Sequence, residues 1–226
     1  MSEQSGNSTA VKAPAKAAPF RMTTRFYTIA IPVLRFLFAI LAPIRFYHKE
    51  RLETLEGPAI LIGNHKSFAD PLVIAVAMRP QVSFMAKKEL LKNPFAGWVM
   101  RHLHVIPVDR HNTDMNAMRT SLRVLKEKGF LGIFPEGTRH KEGVMRDLDS
   151  GAAMIALRSG APVIPMLILP QFRFFHRNHC YVGEAIPTED LRAEGISKET
   201  CDKLTARITE TYVRLQAEMA DAAAKK

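Results

Sequence analysis

The residues best suited to chemistry are His65 and Asp70, which stand five positions apart in a polar loop between an apolar run and a helical segment. The Asp70 carboxylate can accept a hydrogen bond from one imidazole nitrogen, which fixes the tautomer and leaves the other nitrogen as a general base. Asp70 followed by Pro71 is also typical of a helix start, so on spacing alone the catalytic and the capping interpretations both stay open. The sequence has no G-x-S-x-G motif and no plausible nucleophilic Cys beside a His, so such a pair would activate a hydroxyl or water directly.

A second loop whose residues could take part in chemistry covers residues 134–139, again after an apolar run. Gly137, Thr138 and Arg139 offer close backbone approach, a hydroxyl and a planar donor fork, a combination that suits a phosphate group. A surface turn with an ion pair between Glu136 and Arg139 explains the same residues equally well. Residue types alone do not decide between the two.

Together these loops carry a family resemblance. Residues 64–70, Asn-His-Lys-Ser-Phe-Ala-Asp, match the pattern NHxSxxD, and three further blocks follow in order, namely 87–90 with 94–98 and 109–110, then 134–139, then 163–165. The chain thus resembles the PlsC-like glycerolipid acyltransferases, the family of 1-acyl-sn-glycerol-3-phosphate acyltransferases. The four blocks extend over residues 57–169.

The resemblance implies roles for particular residues. His65 would deprotonate a glycerol hydroxyl that attacks an acyl thioester, while Asp70 would orient His65. The residues implied to bind the acceptor phosphate are Glu136, Gly137, Thr138, Arg139, Arg110 and Lys87. No metal and no bound cofactor are expected, and acyl-CoA or acyl-carrier protein would be the acyl donor.

The implied reaction moves a fatty acyl group to the sn-2 hydroxyl of lysophosphatidate and forms phosphatidate in phospholipid biosynthesis. Asp149 and Ser150 stand where family members often carry a basic turn, which keeps another lysolipid acceptor open, for example a lyso-aminolipid. A further alternative is a membrane-binding protein that keeps the fold without catalysis. A nucleic-acid binder is disfavoured, because only the charge supports it and no recognisable binding motif is present.

The elements that must position these loops follow an α/β pattern. Beyond Arg51, short apolar runs alternate with helical spacing, and the resemblance implies a glycerol-3-phosphate acyltransferase-like fold with a mixed sheet flanked by helices. We expect strands at 59–62, 82–85, 105–108, 131–134 and 163–169. Helices are expected around 95–103, 115–125, 150–160 and 201–219. The acyltransferase domain would cover 51–220, and residues 221–226 would form a frayed tail.

The N-terminal part divides in two. Residues 1–19 have a composition that predicts a disordered tail, and residues 20–50 form an apolar helical segment for membrane attachment. A single bilayer span is disfavoured, because Arg35 lies near the centre of the apolar run and Pro32 and Pro43 interrupt it. Two short helices lying in one leaflet are expected instead, and an apolar arm packed on the domain is the alternative.

The composition of the chain indicates its protein class, its partners and its location. The chain has 226 residues, 47% hydrophobic and 24% charged, which excludes a wholly disordered or collagen-like protein. Thirty-two Lys and Arg against 22 Asp and Glu give a net charge of +10, which favours partners rich in phosphate or carboxylate, such as membrane lipids and the acyl donor. Two cysteines exclude a disulfide framework, and no signal-peptide pattern occurs. We therefore expect the protein to lie at the cell membrane, with its catalytic domain on the cytoplasmic side.

Overall fold

The computed structural model describes residues 24–109, 114–139 and 143–224. The predicted disordered tail at 1–19 and the predicted ligand Arg110 lie outside these ranges. The strands are β1 Ile44–Tyr47, β2 Ala59–Gly63, β3 Val82–Lys87, β4 Ile106–Val108, β5 Phe130–Ile133, β6 Val163–Ile168 and β7 Asn178–Val182. The α-helices are α1 Arg25–Leu41, α2 Glu50–Glu53, α3 Asp70–Ala77, α4 Pro94–His102, α5 Met115–Lys126, α6 Gly151–Ser159, α7 Glu189–Ala193 and α8 Lys198–Ala224, and a short 3-10 helix covers Lys88–Lys92.

In the described part of the chain the strands form one mixed sheet in the order β1-β7-β6-β2-β5-β3-β4. The five strands from β6 to β4 run parallel, β7 is antiparallel to β6, and β1 is parallel to β7. The predicted α/β architecture with a mixed sheet is confirmed. The five expected strands are all present within one or two residues of their predicted bounds, whereas β1 and β7 were not anticipated.

Helices cover both faces of the sheet, and strand β2 shows how the sequence specifies this. Ile60 and Ile62 pack into one apolar cluster with residues of α5, α6 and α8, while Ala59 and Leu61 pack into the other with residues of α1 and α3. A parallel strand buried on both faces reads as a continuous apolar run. Complete burial of each large aliphatic side chain stabilises the fold by about 1.5–3 kcal/mol.

The apolar N-terminal segment departs from expectation. Helix α1 continues without a break through Pro32, so the prediction of two short helices was wrong, and residues Ile44–Tyr47 form a strand rather than part of a helical segment. One interior proline removes a single main-chain hydrogen bond, and packing on α3 offsets that loss. Although Arg35 is exposed, its guanidinium binds the domain, donating to the carbonyl oxygens of Val76 at 3.0 Å and Met78 at 2.7 Å at the end of α3.

Helix α1 has two apolar sides with different surroundings. Tyr27, Ile31 and Phe38 are buried against the domain. The large apolar side chains on the other side are exposed: Ile29, Val33, Phe36, Leu37 and Ile40. Among the residues described, no helix combines the length and the apolarity needed to cross a bilayer.

Candidate active site

His65 lies two residues after the end of β2, at the edge where the parallel strands end, a common position for ligand sites in α/β sheets. Its Nδ1 lies 3.1 Å from Oδ2 of Asp70. Because an ionised carboxylate only accepts hydrogen bonds, this contact makes Nδ1 the protonated nitrogen and directs Nε2 outward. The His65 side chain is 16% exposed, so solvent or a substrate can reach it.

The Asp70 carboxylate is fully buried and accepts hydrogen bonds from the loop that precedes α3. Besides the imidazole, Oδ2 accepts backbone N–H bonds from Lys66 at 2.6 Å and Ser67 at 2.7 Å. Asp70 is the first residue of α3, but its preceding N-cap residue Ala69 makes no side-chain capping bond. The carboxylate therefore orders the His65 loop, and the pure capping interpretation left open by the sequence does not describe its contacts.

An aromatic ring supports the imidazole from one side. The rings of His65 and Phe134 lie 4.5 Å apart between centroids. This approach depends on Gly63, because a Cβ atom there would lie 2.7 Å from the Phe134 ring and 2.8 Å from Ile74 Cδ1. The last position of β2 is thus restricted to glycine by packing.

Glu136 joins the two loops that the sequence singled out. Its Oε2 accepts the backbone N–H of His65 at 2.6 Å and its Oε1 accepts that of Met145 at 2.6 Å. The residue is 5% exposed. Both oxygens are engaged with the main chain, so Glu136 joins the two loops as a scaffold in this structure, whereas the resemblance implies a substrate contact.

The remaining residues of that loop face outward. Gly137 has a φ of 64°, a left-handed conformation that favours glycine, and the space above its Cα is open. Thr138 and Arg139 are exposed. The Arg139 guanidinium lies 3.5 Å from the centroid of the Phe68 ring, in the loop that carries His65. A backbone open to approach, a hydroxyl and a cation therefore lie in the loop that Glu136 and Phe68 connect to the His65 loop.

Lys87 ends strand β3 and is half-buried. Because β3 runs parallel to β5 in the same sheet, Lys87 belongs to the edge at which His65 and the 134–139 loop lie. Its neighbour Lys88 forms an ion pair with Asp109. Arg110, the other predicted basic ligand, falls in the 110–113 gap. In the described ranges no group of three or more His, Cys, Asp or Glu side chains has the arrangement of a metal site.

Asn64 was not singled out as a site residue from the sequence, yet it contributes to the geometry. Its amide is fully buried, with Oδ1 accepting the N–H of Ile168 at 2.7 Å and Nδ2 donating to the carbonyl of Ile168 at 3.0 Å. This pair of bonds fastens the residue before His65 to the end of β6. An asparagine at the end of an apolar run is the signal that could have identified it, since a buried amide needs partners.

The two loops fall within a segment that is shared with known proteins. A family model described as acyltransferase matches residues 43–169, which include both loops. The 1-acyl-sn-glycerol-3-phosphate acyltransferase of Bacillus subtilis is 34% identical over 140 residues, 62% of this chain and 69% of the relative. The protein of the same name from Streptococcus pneumoniae is 28% identical over 193 residues, 82% of this chain and 71% of the relative.

A solved structure shows the same fold. The crystal structure of the 1-acyl-sn-glycerophosphate acyltransferase PlsC from Thermotoga maritima superposes with a TM-score of 0.59 at 24% identity, over 85% of this chain and 78% of that one. The family model covers more than half of the chain, and the Bacillus subtilis relative is matched over more than two thirds of its length. The chain therefore belongs to the acyltransferase family, the enzyme class of its relatives named 1-acyl-sn-glycerol-3-phosphate acyltransferases.

Proposed function

We propose that this enzyme transfers a fatty acyl group from acyl-CoA or acyl-carrier protein to the sn-2 hydroxyl of lysophosphatidate, forming phosphatidate for phospholipid biosynthesis. The observation that carries the proposal is the hydrogen bond from His65 Nδ1 to a buried, main-chain-held Asp70 carboxylate. The acceptor is supported by relatives from several organisms that are named for this reaction.

The chemical steps follow from this pair. Nε2 of His65 takes the proton of the sn-2 hydroxyl as its oxygen attacks the thioester carbonyl carbon, and a C–O bond forms. The tetrahedral intermediate collapses, the C–S bond breaks, and the departing thiolate takes the proton back from the imidazolium. The products are an ester and a free thiol, with no net change at His65. General base catalysis of this kind accelerates a reaction by about 10²–10⁴-fold.

The acceptor phosphate is assigned to the outward residues of the second loop. Arg139 and Thr138 are exposed, the Arg139 guanidinium lies over the Phe68 ring of the His65 loop, and Gly137 leaves its backbone open to a ligand. An arginine fork binds phosphate oxygens through charge-assisted bonds. Lys87 at the same sheet edge adds positive charge, and Arg110 is retained as a further ligand from the family resemblance. Glu136 supports this loop through the main chain.

We also propose that the enzyme lies on the cytoplasmic surface of the cell membrane through the exposed side of α1. Apolar groups extend this surface at both ends of the helix. At one end Phe26 contacts Trp98 of α4, with 5.3 Å between ring centroids. At the other end Phe175, which is 80% exposed, donates its backbone N–H to the carbonyl of Leu41 at 2.6 Å.

Large exposed apolar surfaces mark sites of interaction with membranes or other proteins. Arg173 and Arg177 flank the exposed rings of Phe174 and Phe175, and basic residues at such a margin are attracted to anionic headgroups. The acceptor and product of the proposed reaction are themselves membrane lipids, so a surface-bound enzyme meets its substrate where the substrate resides.

The acceptor is tested by measuring thioester consumption on vesicles with purified protein. Lysophosphatidate, a lyso-aminolipid and no acceptor are compared, each with acyl-CoA and with acyl-carrier protein as donor. We expect consumption that requires lysophosphatidate. Turnover that depends on the lyso-aminolipid and not on lysophosphatidate would overturn the acceptor while leaving the chemistry in place. Absence of turnover with every acceptor would support the non-catalytic alternative.

A further inference from the structure

The paired strands β2 and β6 position the candidate base, and a side chain from α8 binds their ladder close to it. In a parallel pair, a residue whose N–H donates to a carbonyl of the partner strand also uses its own carbonyl as an acceptor. The N–H that it accepts from lies two residues farther along the partner strand. Ile60 follows this rule at the start of the ladder, where its N–H donates to the carbonyl of Pro162 at 2.9 Å. By the same alternation, two residues later, the N–H of Met166 is expected to donate to the carbonyl oxygen of Ile62.

A side chain from the C-terminal helix binds both atoms of this pair. The N–H of Met166 donates to the hydroxyl oxygen of Tyr212 at 3.1 Å, and the Tyr212 hydroxyl donates to the carbonyl oxygen of Ile62. The hydroxyl thus contacts both strands at this rung of the ladder. It joins β2 to β6 only three residues before His65.

The Tyr212 hydroxyl is suited to this place. The residue is 1% exposed, at the centre of the cluster that α8 forms with the sheet. Burial raises the pKa of Tyr212 well above its ordinary value, so the hydroxyl keeps the proton that it donates. A phenylalanine would fill nearly the same volume but would supply neither donor nor acceptor.

The next residues of the chain are fastened by two more side chains. Asn64 binds the backbone of Ile168, and Glu136 binds the N–H of His65. Tyr212 is the one of these three that comes from outside the sheet and its loops. It also lies beyond residues 43–169, the segment shared with the family model.

We propose that the Tyr212 hydroxyl is a positioning group for His65: it sets the spacing of β2 and β6 where the His65 loop leaves the sheet. This inference rests on the proposed function, because it assigns the hydroxyl a part in acyl transfer. Without the hydroxyl, this rung loses the bonds that tie it to α8, which would shift the start of the His65 loop.

The test compares Tyr212→Phe with wild type at a temperature at which circular dichroism shows both to be folded. We expect kcat per folded molecule to fall about tenfold or more, since small misplacement of a catalytic group is costly in rate. KM for donor and acceptor should stay close to wild type. Ile208→Ala, in the same buried cluster of α8, is the matched control: it should lower the melting temperature while keeping kcat.

A double variant separates positioning from general stability. In an Asp70→Asn background the imidazole has already lost its orienting partner, so adding Tyr212→Phe should reduce kcat much less than it does in wild type. Hydrogen exchange gives a readout independent of activity: the peptide over residues 59–70 should exchange faster in Tyr212→Phe and not in Ile208→Ala.

Wild-type kcat in folded Tyr212→Phe, or full additivity with Asp70→Asn, would overturn the inference while leaving the proposed function intact. Failure of the proposed function would be distinct, because wild-type protein would then show no acyl transfer to lysophosphatidate.

Discussion

The backbone N–H of His65 donates to Oε2 of Glu136 at 2.6 Å, although the two residues are 71 positions apart in the chain. Through this bond the two loops that carry the family pattern form one unit. The candidate base is therefore held at two points, by Asp70 at its ring and by Glu136 at its main chain. Each attachment leads to a separate prediction.

Replacing Glu136 with Gln should weaken the junction of the two loops. An amide can present only one oxygen, so one of the buried N–H groups of His65 and Met145 would face an NH₂ group. We expect a loss of about 1–3 kcal/mol in the free energy of unfolding, the range for an unsatisfied buried group, together with a lower kcat. Urea denaturation and steady-state kinetics measure the two effects. Glu184→Gln, at an exposed ion pair with Arg51, is the control, and unchanged stability and kcat in Glu136→Gln would refute the scaffolding role.

Replacing Asp70 with Asn should separate orientation from folding. The amide oxygen can still accept from the main chain, but it cannot hold the imidazole by a charge-assisted bond. We expect kcat to fall by about 10²–10⁴-fold, comparable with the contribution of general base catalysis, while most of the protein remains folded. Calorimetry measures the stability of the variant, and steady-state kinetics measures its kcat. A large drop in melting temperature with kcat per folded molecule preserved would instead assign Asp70 a purely structural role.

An ion pair between α7 and α8 predicts a pH dependence of stability. Arg207 binds both carboxylate oxygens of Asp190, at 2.8 and 2.7 Å, and lowers the pKa of Asp190 from 3.8 to about 2. A carboxyl group with a depressed folded pKa stabilises the protein above its unfolded pKa, and this contribution is lost as the pH falls through the folded value. The stability difference between wild type and Arg207→Gln should therefore be constant above pH 3.8 and shrink toward pH 2. Thermal melts across this range test it, and a difference that does not change with pH would contradict the assignment.

Membrane attachment through α1 predicts a surface-specific loss of binding. Phe36 and Ile40 are 66% and 60% exposed, so Phe36→Gln with Ile40→Gln should leave folding intact. Complete burial of such side chains contributes about 1.5–3 kcal/mol each, and the double variant should bind anionic vesicles far less in a flotation assay. Val213→Gln, 62% exposed on α8, is the matched control and should float like wild type. Equal flotation of the double variant would move attachment to another surface.

Much of the sheet could be predicted from the sequence because its central strands are buried on both faces and read as apolar runs, as 59–62 and 163–169 do. Strand β1 was missed because Ile44–Tyr47 continues the apolar composition of α1, and only its pairing with β7, far along the chain, makes it a strand. The bonds from Arg35 to α3 were missed for the same reason. A charged residue in an apolar run gives no local sign of a partner more than 40 positions away.

The candidate site was predictable to a similar extent. His65 and Asp70 are close in sequence, so a loop of five positions limits their geometry, and the structure brings them together. Glu136 is different, since a carboxylate beside Gly137 and Arg139 resembles part of a phosphate site until its main-chain partners are seen. Tyr212 has no local signal, because an apolar helix face containing a tyrosine is equally consistent with plain packing.

The central claim is that His65 is the base for acyl transfer, and one comparison tests it most directly. Thioester consumption on vesicles containing lysophosphatidate is measured for wild type, His65→Ala and His48→Asn. The control changes another histidine, in a turn whose φ of 58° asparagine accommodates. We predict a loss of about 10²–10⁴-fold in kcat for His65→Ala and near wild-type turnover for His48→Asn. Lysophosphatidate-dependent turnover that survives in folded His65→Ala would contradict the account.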